Sequence, residues 1–367
     1  MNYLPIDLIR YCIFDKLDFI TQIRFRQICK KLNRIDIHYM MYLIGYKYSS
    51  KLSDAILINY PKVKYLGAAS NEKITNINHM TNLQFLDAST SCGLDDDGIK
   101  DINLVELHAA GNPKITNVNH MSKLRILNAC NSCGINDNGI KDINLIELNA
   151  CHNPKITNVN HMTNLYKLNA GNNCGIHDNG IKDLNLIQLN AYDNPKITNV
   201  NHMTNLQILY APRDCGINDN GIKHINLVEL YAVDNQKITN VNHMTKLKIL
   251  DASSLCGIDD NGIKDINLIE LYTFFNSKIT DVNHMTKLQI LIASGNCGLD
   301  DNGIKNLNLI KLDVSGNPKI TNINHMTNLK ILSATGFSGL DDNGIKDLNL
   351  IELNSYMNHN ITKKMNY

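Results

Sequence analysis

Apolar side chains return along this chain on a fixed beat. One stretch reads Leu206-x-x-Leu209-x-Ala211, with the positions between open to polar residues. The pattern recurs 21 residues later as Leu227-x-x-Leu230-x-Ala232, and 20 residues after that as Leu247-x-x-Leu250-x-Ala252. Two such segments make a 41-residue unit, NPKITNVNHMTNLQILYAPRDCGINDNGIKHINLVELYAVD from Asn194 to Asp234. The isoleucine of a K-I-T or N-I-T triplet marks each copy: Ile74, Ile115, Ile156, Ile197, Ile238, Ile279, Ile320 and Ile361, always 41 residues apart. A fixed period of this size predicts a solenoid, in which each unit buries its apolar side only against its neighbours.

Within each segment a short strand is expected, because alternate side chains point to opposite faces. Leu209 and Ala211 should face inward; Ile208, Tyr210 and Pro212 should face out. Ile197, Val200, Met203, Ile217, Ile222 and Ile225 supply the rest of that core. The asparagine after the strand (Asn112, Asn153, Asn194, Asn235, Asn276, Asn317) should bond backbone groups of the turn, where buried donors and acceptors need partners. Gly98, Gly139, Gly180, Gly221, Gly262, Gly303 and Gly344 should mark the opposite turn. The pattern L-x-x-L-x-A-x-x-(N/D)-x-x-(I/L) resembles the leucine-rich repeat. Its K-I-T-N-V-N-H-M-T-N-L half is similar to the short form, with an extended or 3₁₀ outer side. Its C-G-I-N-D-N-G-I-K-D half is similar to the cysteine-containing form found in F-box proteins. From Val63-x-x-Leu66-x-Ala68 to Leu350-x-x-Leu353-x-Ser355 there are fifteen coils. The resemblance implies an α/β solenoid, a right-handed coil with a concave parallel sheet about 70 Å long at ~4.8 Å per strand. After Ile361-Thr362 only KKMNY follows, so the last coil is expected to lack a capping helix.

Residues 1–45 carry none of the repeat and read as helices. Leu4, Leu8, Ile9, Ile13 and Leu17 recur at helical spacing behind Pro5, which suits a first helical turn. Thr21 can cap a second helix bearing Phe25, Ile28, Leu32 and Ile35. The series Leu4-Pro5-x-Asp7-Leu8-Ile9, Ile13-Phe14-x-x-Leu17 and Ile28-Cys29-Lys30 resembles an F-box, the helical module that docks on Skp1. Two features depart from that family: one extra residue before Ile13, and Leu32 in place of an aromatic residue. The resemblance implies that Leu4, Pro5, Leu8, Ile9, Ile13, Phe14, Leu17, Ile28 and Cys29 bind a Skp1-like adaptor. The plain alternative is a helical cap over the open end of the solenoid. Residues 46–367 form the solenoid, with a degenerate first coil begun by Ile58, five residues before Val63 as Ile99 precedes Leu104.

Composition narrows the function classes. The 367 residues carry a net charge of +1, which argues against a general nucleic-acid or membrane-surface binder. There is no 18-residue apolar run, and MNYLPIDLIRYC lacks the features of a signal peptide, so an intracellular, cytoplasmic location is expected. Asn, Lys and Ile are conspicuously frequent, as in chains from AT-rich genomes. Six of the ten cysteines keep the beat: Cys92, Cys133, Cys174, Cys215, Cys256 and Cys297. Successive members stand about 10 Å apart, too far for a disulfide, and should be buried thiols. Cys130 and Cys151 occupy matching places on adjacent strands and are expected as thiols in a reducing compartment.

Candidate chemistry is thin. The histidine row His79, His120, His161, His202, His243, His284 and His325 has the same ~10 Å spacing, too wide for shared zinc ligands. Asp95-Asp96-Asp97-Gly98 looks calcium-like, but an EF-hand needs acids where Gly93 and Leu104 stand, so solvated turn carboxylates are expected. Every Ser, His and Asp that might build a triad belongs to a repeated position, so no enzyme, metal or cofactor is expected.

What breaks the pattern is the outward strand row. It holds Asp87, His108, Asn128, Asn149, Asn169 and Asn190, then turns aromatic at Tyr210, Tyr231 and Tyr272. Two residues on, Tyr192, Val233 and Phe274 are large, with Arg213 and Phe275 alongside. Aromatics and Arg on a rigid sheet are typical recognition anchors, so Tyr192, Tyr210, Arg213, Tyr231, Tyr272, Phe274 and Phe275 are the candidate target-binding set. A row of Glu alternating with Ile suits a basic or amphipathic ligand. The resemblance, which spans the chain, implies a substrate adaptor of an SCF-type ubiquitin ligase, monomeric outside that complex. Near-identical repeats without gaps are similar to F-box repeat proteins of large DNA viruses of amoebae, and a viral adaptor would act in the host cell. The alternatives are a protein-interaction scaffold without ligase function and a repeat array with no specific ligand.

Overall fold

A computed structural model describes residues 52–362 and the two-residue strand Tyr39–Met40. The chain divides into two compact units at residues 183 and 184, each built of the same coil. In the first unit the strands are β1 Tyr39–Met40, β2 Tyr65–Gly67, β3 Phe85–Asp87, β4 Glu106–His108, β5 Ile126–Asn128, β6 Glu147–Asn149 and β7 Lys167–Asn169. They pair in parallel, each with the next in sequence. The outer side carries the one-turn helices α1 Asp54–Leu57, α2 Asp96–Ile99, α3 Asp137–Ile140 and α4 Asp178–Ile181.

The second unit repeats the plan with β8 Gln188–Asn190, β9 Ile208–Tyr210, β10 Glu229–Tyr231, β11 Ile249–Asp251, β12 Glu270–Tyr272, β13 Ile290–Ile292, β14 Lys311–Asp313, β15 Ile331–Ser333 and β16 Glu352–Asn354. These too pair in parallel in chain order. Its helices are α5 Asp219–Ile222, α6 Asp260–Ile263 and α7 Asp301–Ile304, followed by the 3₁₀ turn Asn343–Ile345. The outer side of the K-I-T half is formed of turns. Both units are leucine-rich-repeat solenoids, and the fifteen expected coils carry β2 to β16.

Two boundaries differ from expectation. Of residues 1–45 only Tyr39–Met40 is described, and it is a strand beside Tyr65 and Leu66, not helix. The Skp1 set Leu4, Pro5, Leu8, Ile9, Ile13, Phe14, Leu17, Ile28 and Cys29 lies outside the described residues. The degenerate first coil is present, but Ile58 is exposed and Leu57 takes the core place. α1 ends eight residues before β2, whereas α2 ends seven before β4, so the apolar position is shifted by one.

The core is the beat itself. Leu209, Ala211, Ile197, Val200, Met203, Ile217 and Ile222 are completely buried, and the beat cysteines lie among them. Burial pushes the Cys92 and Cys256 thiols up to about 11, since a thiolate there would lose its solvation. Ile208 and Tyr210 lie half-buried on the opposite strand face, as alternation requires. Pro212, expected outside, is buried: beyond Tyr210 the chain turns inward, and the Pro212 carbonyl accepts from the Cys215 amide.

Polar groups lock one coil to the next. Asn112 is fully buried; its Nδ2 donates to the carbonyls of Ala88 and Leu94, and its Oδ1 accepts from the Lys114 amide. Asn235 makes the same three bonds to Ala211, Ile217 and Lys237. This fits the expected role and gives otherwise stranded backbone groups their partners. Asn119 adds a second clamp, from its Nδ2 to the Asn138 carbonyl and from the Asp142 amide to its Oδ1. The frequent asparagines therefore hold specific bonds, whatever genome composition contributes.

The glycine and aspartate rows also differ from expectation. Gly98 is no turn residue but the third residue of α2. A Cβ there would stand 2.1 Å from the Thr75 carbonyl oxygen, and at Gly221 2.0 Å from that of Thr198. Close approach of two backbones, not a left-handed φ, demands glycine. Asp95 and Asp97 are exposed, as expected of solvated carboxylates, but Asp95 and Asp96 also make specific bonds. Asp95 caps α2 by accepting from the Gly98 amide at 2.9 Å. Asp96 Oδ1 accepts from the Thr116 amide at 2.7 Å, and Oδ2 from the Thr116 hydroxyl at 2.5 Å. The same bridge joins Asp219 to Thr239 and Asp260 to Thr280, which explains the threonine of the K-I-T triplet.

Candidate functional site

The coil leaves fewer freedoms on its sheet face than the strand pattern suggests. Just past each strand, one residue takes a left-handed backbone, with φ between 54° and 66° wherever it is described. Glycine, asparagine and aspartate tolerate that conformation best, and Gly111, Asn131, Asp193, Asp234, Gly295, Gly316 and Gly336 fill it accordingly. In the second unit four coils place other residues there: Ser254 at φ 61°, Met357 at φ 59° and, beside the candidate aromatics, Arg213 at φ 55° and Phe275 at φ 56°. A bulky side chain held so costs about 1–2 kcal/mol. Such strain is a pointer to function when the side chains themselves are displayed.

Arg213 and Phe275 are both displayed. Arg213 is exposed and its guanidinium carbon lies 5.2 Å from the centre of the Tyr192 ring, a cation–π contact. Phe275 is half exposed and packs edge-on against Phe274, with ring centres 4.2 Å apart. Gly295 of the next coil makes room for it, since a Cβ there would meet the Phe275 ring at 2.8 Å.

The strand row brings the tyrosines into line. Tyr210 pairs with Tyr231 in register, and their rings stack at 4.4 Å with 4° between planes. Tyr231 Oη donates to Glu229 Oε2 at 3.0 Å, and Tyr272 Oη to Glu270 Oε2 at the same distance. Burial, then the adjacent Glu229 carboxylate, raises the Tyr231 phenol above its ordinary value of 10.0. Burial, then the Glu270 carboxylate, raises Tyr272 likewise.

The alternation of Glu and Ile is real: Ile208, Glu229, Ile249, Glu270 and Ile290 are successive register partners. Sequence reasoning missed Asp251, which stands in register between Tyr231 and Tyr272 with its carboxyl raised by burial. It also missed Ile292, the half-buried neighbour of Tyr272. Both occupy the row that holds the tyrosines, so position in the repeat was the available signal. The face is thus aromatic and apolar, with acidic groups between the rings.

Five histidines of the row serve the fold. His120 Nε2 meets the Ile99 carbonyl at 3.1 Å, and His161, His243, His284 and His325 meet the matching carbonyls at the ends of other one-turn segments. Their ring nitrogens are directed to backbone, not to one another. Among the described residues, no group of three or more His, Cys, Asp or Glu side chains could hold a metal ion, and no helix is long and apolar enough to cross a membrane.

No family model matches the chain, and no curated protein does. Solved structures do resemble it. An internalin from Listeria monocytogenes is 17% identical over 94% of this chain and 93% of its own, with a TM-score of 0.39. A chain of the Rad7–Elc1 complex of yeast is 14% identical over 95% and 90%, at 0.38. A chain of the TLR13–ssRNA13 complex is 18% identical over 80% of this chain, at 0.41, and this chain spans 43% of its length. At these identities and scores the likeness carries nothing about partner or activity.

Proposed function

We propose that this chain is a protein-binding solenoid that recognises its target on the aromatic face of the second unit. The observation that carries the reading is the pair Arg213 and Phe275, kept at a strained backbone position that the adjoining coils give to the smaller Asp193, Asp234, Ser254 and Gly295. Tyr192, Tyr210, Tyr231, Tyr272 and Phe274 surround them as rigid anchors. Glu229, Asp251 and Glu270 between the rings favour a target presenting basic and apolar side chains. The test is affinity purification with the full chain, its Tyr231→Ala variant and its Phe275→Gly variant. The target is a protein retained by the parent chain and lost by both variants. Equal capture by all three would refute the surface.

We further propose that the chain is the target-recognition adaptor of an SCF-type ubiquitin ligase, with residues 1–45 docking on a Skp1-like partner. Support comes from the series Leu4-Pro5 to Cys29 ahead of leucine-rich repeats. Such an adaptor does no chemistry and raises the target's effective concentration near a ubiquitin-loaded enzyme. Its place of action is intracellular, in a host cell if the chain is viral. A Skp1 pull-down tests this part: binding unchanged by Leu4→Ala, Pro5→Ala and Leu17→Ala together removes it. One observation favours the second reading, a scaffold whose N-terminal segment caps the solenoid. The strand Tyr39–Met40 extends the sheet directly into that segment.

A further inference from the structure

The first unit carries a chemistry that recognition does not use. Asn128 and Asn149 are register partners at the ends of β5 and β6. Beyond them the ladder continues, with the Ala129 amide donating to the Asn149 carbonyl at 2.8 Å and the Asn131 amide to the Cys151 carbonyl at 3.0 Å. Cys130 and Cys151 are therefore register partners as well. Each is held by the same local bond, its amide donating to the side-chain oxygen of Asn128 or Asn149. Register partners on adjacent strands lie about 4.8 Å apart, inside the Cα range of roughly 4.4–6.8 Å that a disulfide spans. The other described cysteines sit on the buried beat, 41 residues apart, and have no such neighbour.

The two thiols are unequal. Cys130 is buried and Cys151 is half-buried. The next residue in their row is Gly171, which has no side chain to cover the Cys151 sulfur. The proximity of the two thiols lowers that of Cys151 to about 7 and raises that of Cys130. Cys151 is the sulfur that solvent reaches, so it is the one that meets a reagent first.

We infer that Cys130 and Cys151 form a reversible dithiol–disulfide site on the sheet face, whose reactants are small-molecule disulfides. The Cys151 thiolate attacks one sulfur of the reagent R–S–S–R, making a mixed disulfide and releasing R–S⁻, which takes up a proton. Cys130 loses its proton, attacks the Cys151 sulfur and displaces the second R–S⁻. One protein S–S bond has formed, the reagent's S–S bond has broken, and two electrons have passed to two R–SH products. Closure staples two successive coils on the face of the first unit.

The test uses the full chain and oxidised glutathione at graded ratios to reduced glutathione, quenched by alkylation and mapped by mass spectrometry. Expected is joint loss of the Cys130 and Cys151 thiols as one linked peptide pair, 2 Da lighter, reversed by excess reduced glutathione. Before oxidation Cys151 should alkylate about tenfold faster than Cys130. Cys130→Ser should stop at a glutathione adduct on Cys151, and Cys151→Ser should react at least about tenfold more slowly than the parent. Far-UV circular dichroism of both variants checks that they fold. The inference is overturned by a persistent glutathione adduct on Cys151 of the parent chain, or by linkage of either cysteine to a third. Thiols that both stay alkylatable in excess oxidised glutathione overturn it equally.

Discussion

The two units have the same interior and different faces. Leu127, Ala129, Ile115 and Met121 of the first unit are buried as fully as Leu209, Ala211, Ile197 and Met203 of the second. Asn112 and Asn235 make matching clamps. On the sheet face the first unit shows Asp87, His108, Asn128, Asn149 and Asn169, whereas the second starts with Asn190, shows Tyr210, Tyr231, Asp251, Tyr272 and Ile292, and returns to polar Asp313, Ser333 and Asn354. The difference shows where a solenoid can change. Each buried position is shared with two neighbouring coils, so a change there disturbs both. A face position is answerable to solvent and to partners, so aromatic side chains accumulate there without cost to the core.

The sharpest way to break the comparison is at the clamp. Asn112→Leu and Asn235→Leu should each destabilise by roughly 3 kcal/mol, since each leaves two carbonyls and an amide without partners. Urea denaturation should find the two losses equal. A much smaller loss at either site would show that the interiors are not equivalent.

Alkaline titration comes next. The folded-state thiols of Cys92 and Cys256 lie near 11 against an ordinary 9.0, so the fold holds protons that the unfolded chain releases. Their contribution is complete below pH 9 and declines as pH rises from 9 toward 11. Denaturation at pH 8 and pH 10.5 should show that decline, and the double variant Cys92→Ala, Cys256→Ala should flatten it. An unchanged slope in the double variant would contradict the assignment.

The face gives an opposed pair of effects. Phe275→Gly should stabilise the fold by about 1 kcal/mol, because glycine accepts the left-handed backbone. It should also weaken target binding about tenfold. His152→Gly removes the same kind of strain in the first unit, at φ 54°, and should leave target binding unchanged. Thermal denaturation with a binding assay on the purified target reads both quantities. The smallest effect lies at a cap. α4 begins at His177, which makes no side-chain cap bond, whereas Asn218 caps α5 through the Gly221 amide. His177→Asn should therefore gain about 0.5–1 kcal/mol, and Asn218→His should lose a similar amount.

Legibility followed burial. Leu209, Ala211 and Asn235 could be placed from the sequence because a period shared by many coils leaves each one environment. Ile58 and Pro212 misled because the period is broken or bent at those places: an extra residue after α1, and a chain that turns inward past β9. Arg213 and Phe275 were legible as exposed and large. Their strain was not, since a left-handed φ arises only when the strand ends and the turn closes.

What the sequence determined by itself is the coil: its length, strands, register and apolar filling, because a fixed repeat has one way to stack its hydrophobic side. The tertiary structure decided which separate rows of residues meet. Asp96 reaches Thr116, the Gly98 backbone lies against Thr75, Cys130 lies beside Cys151, and Phe275 rests over Gly295. Each of these partnerships spans about 20 residues, one turn of the coil, and only the closing of that turn brings its members together.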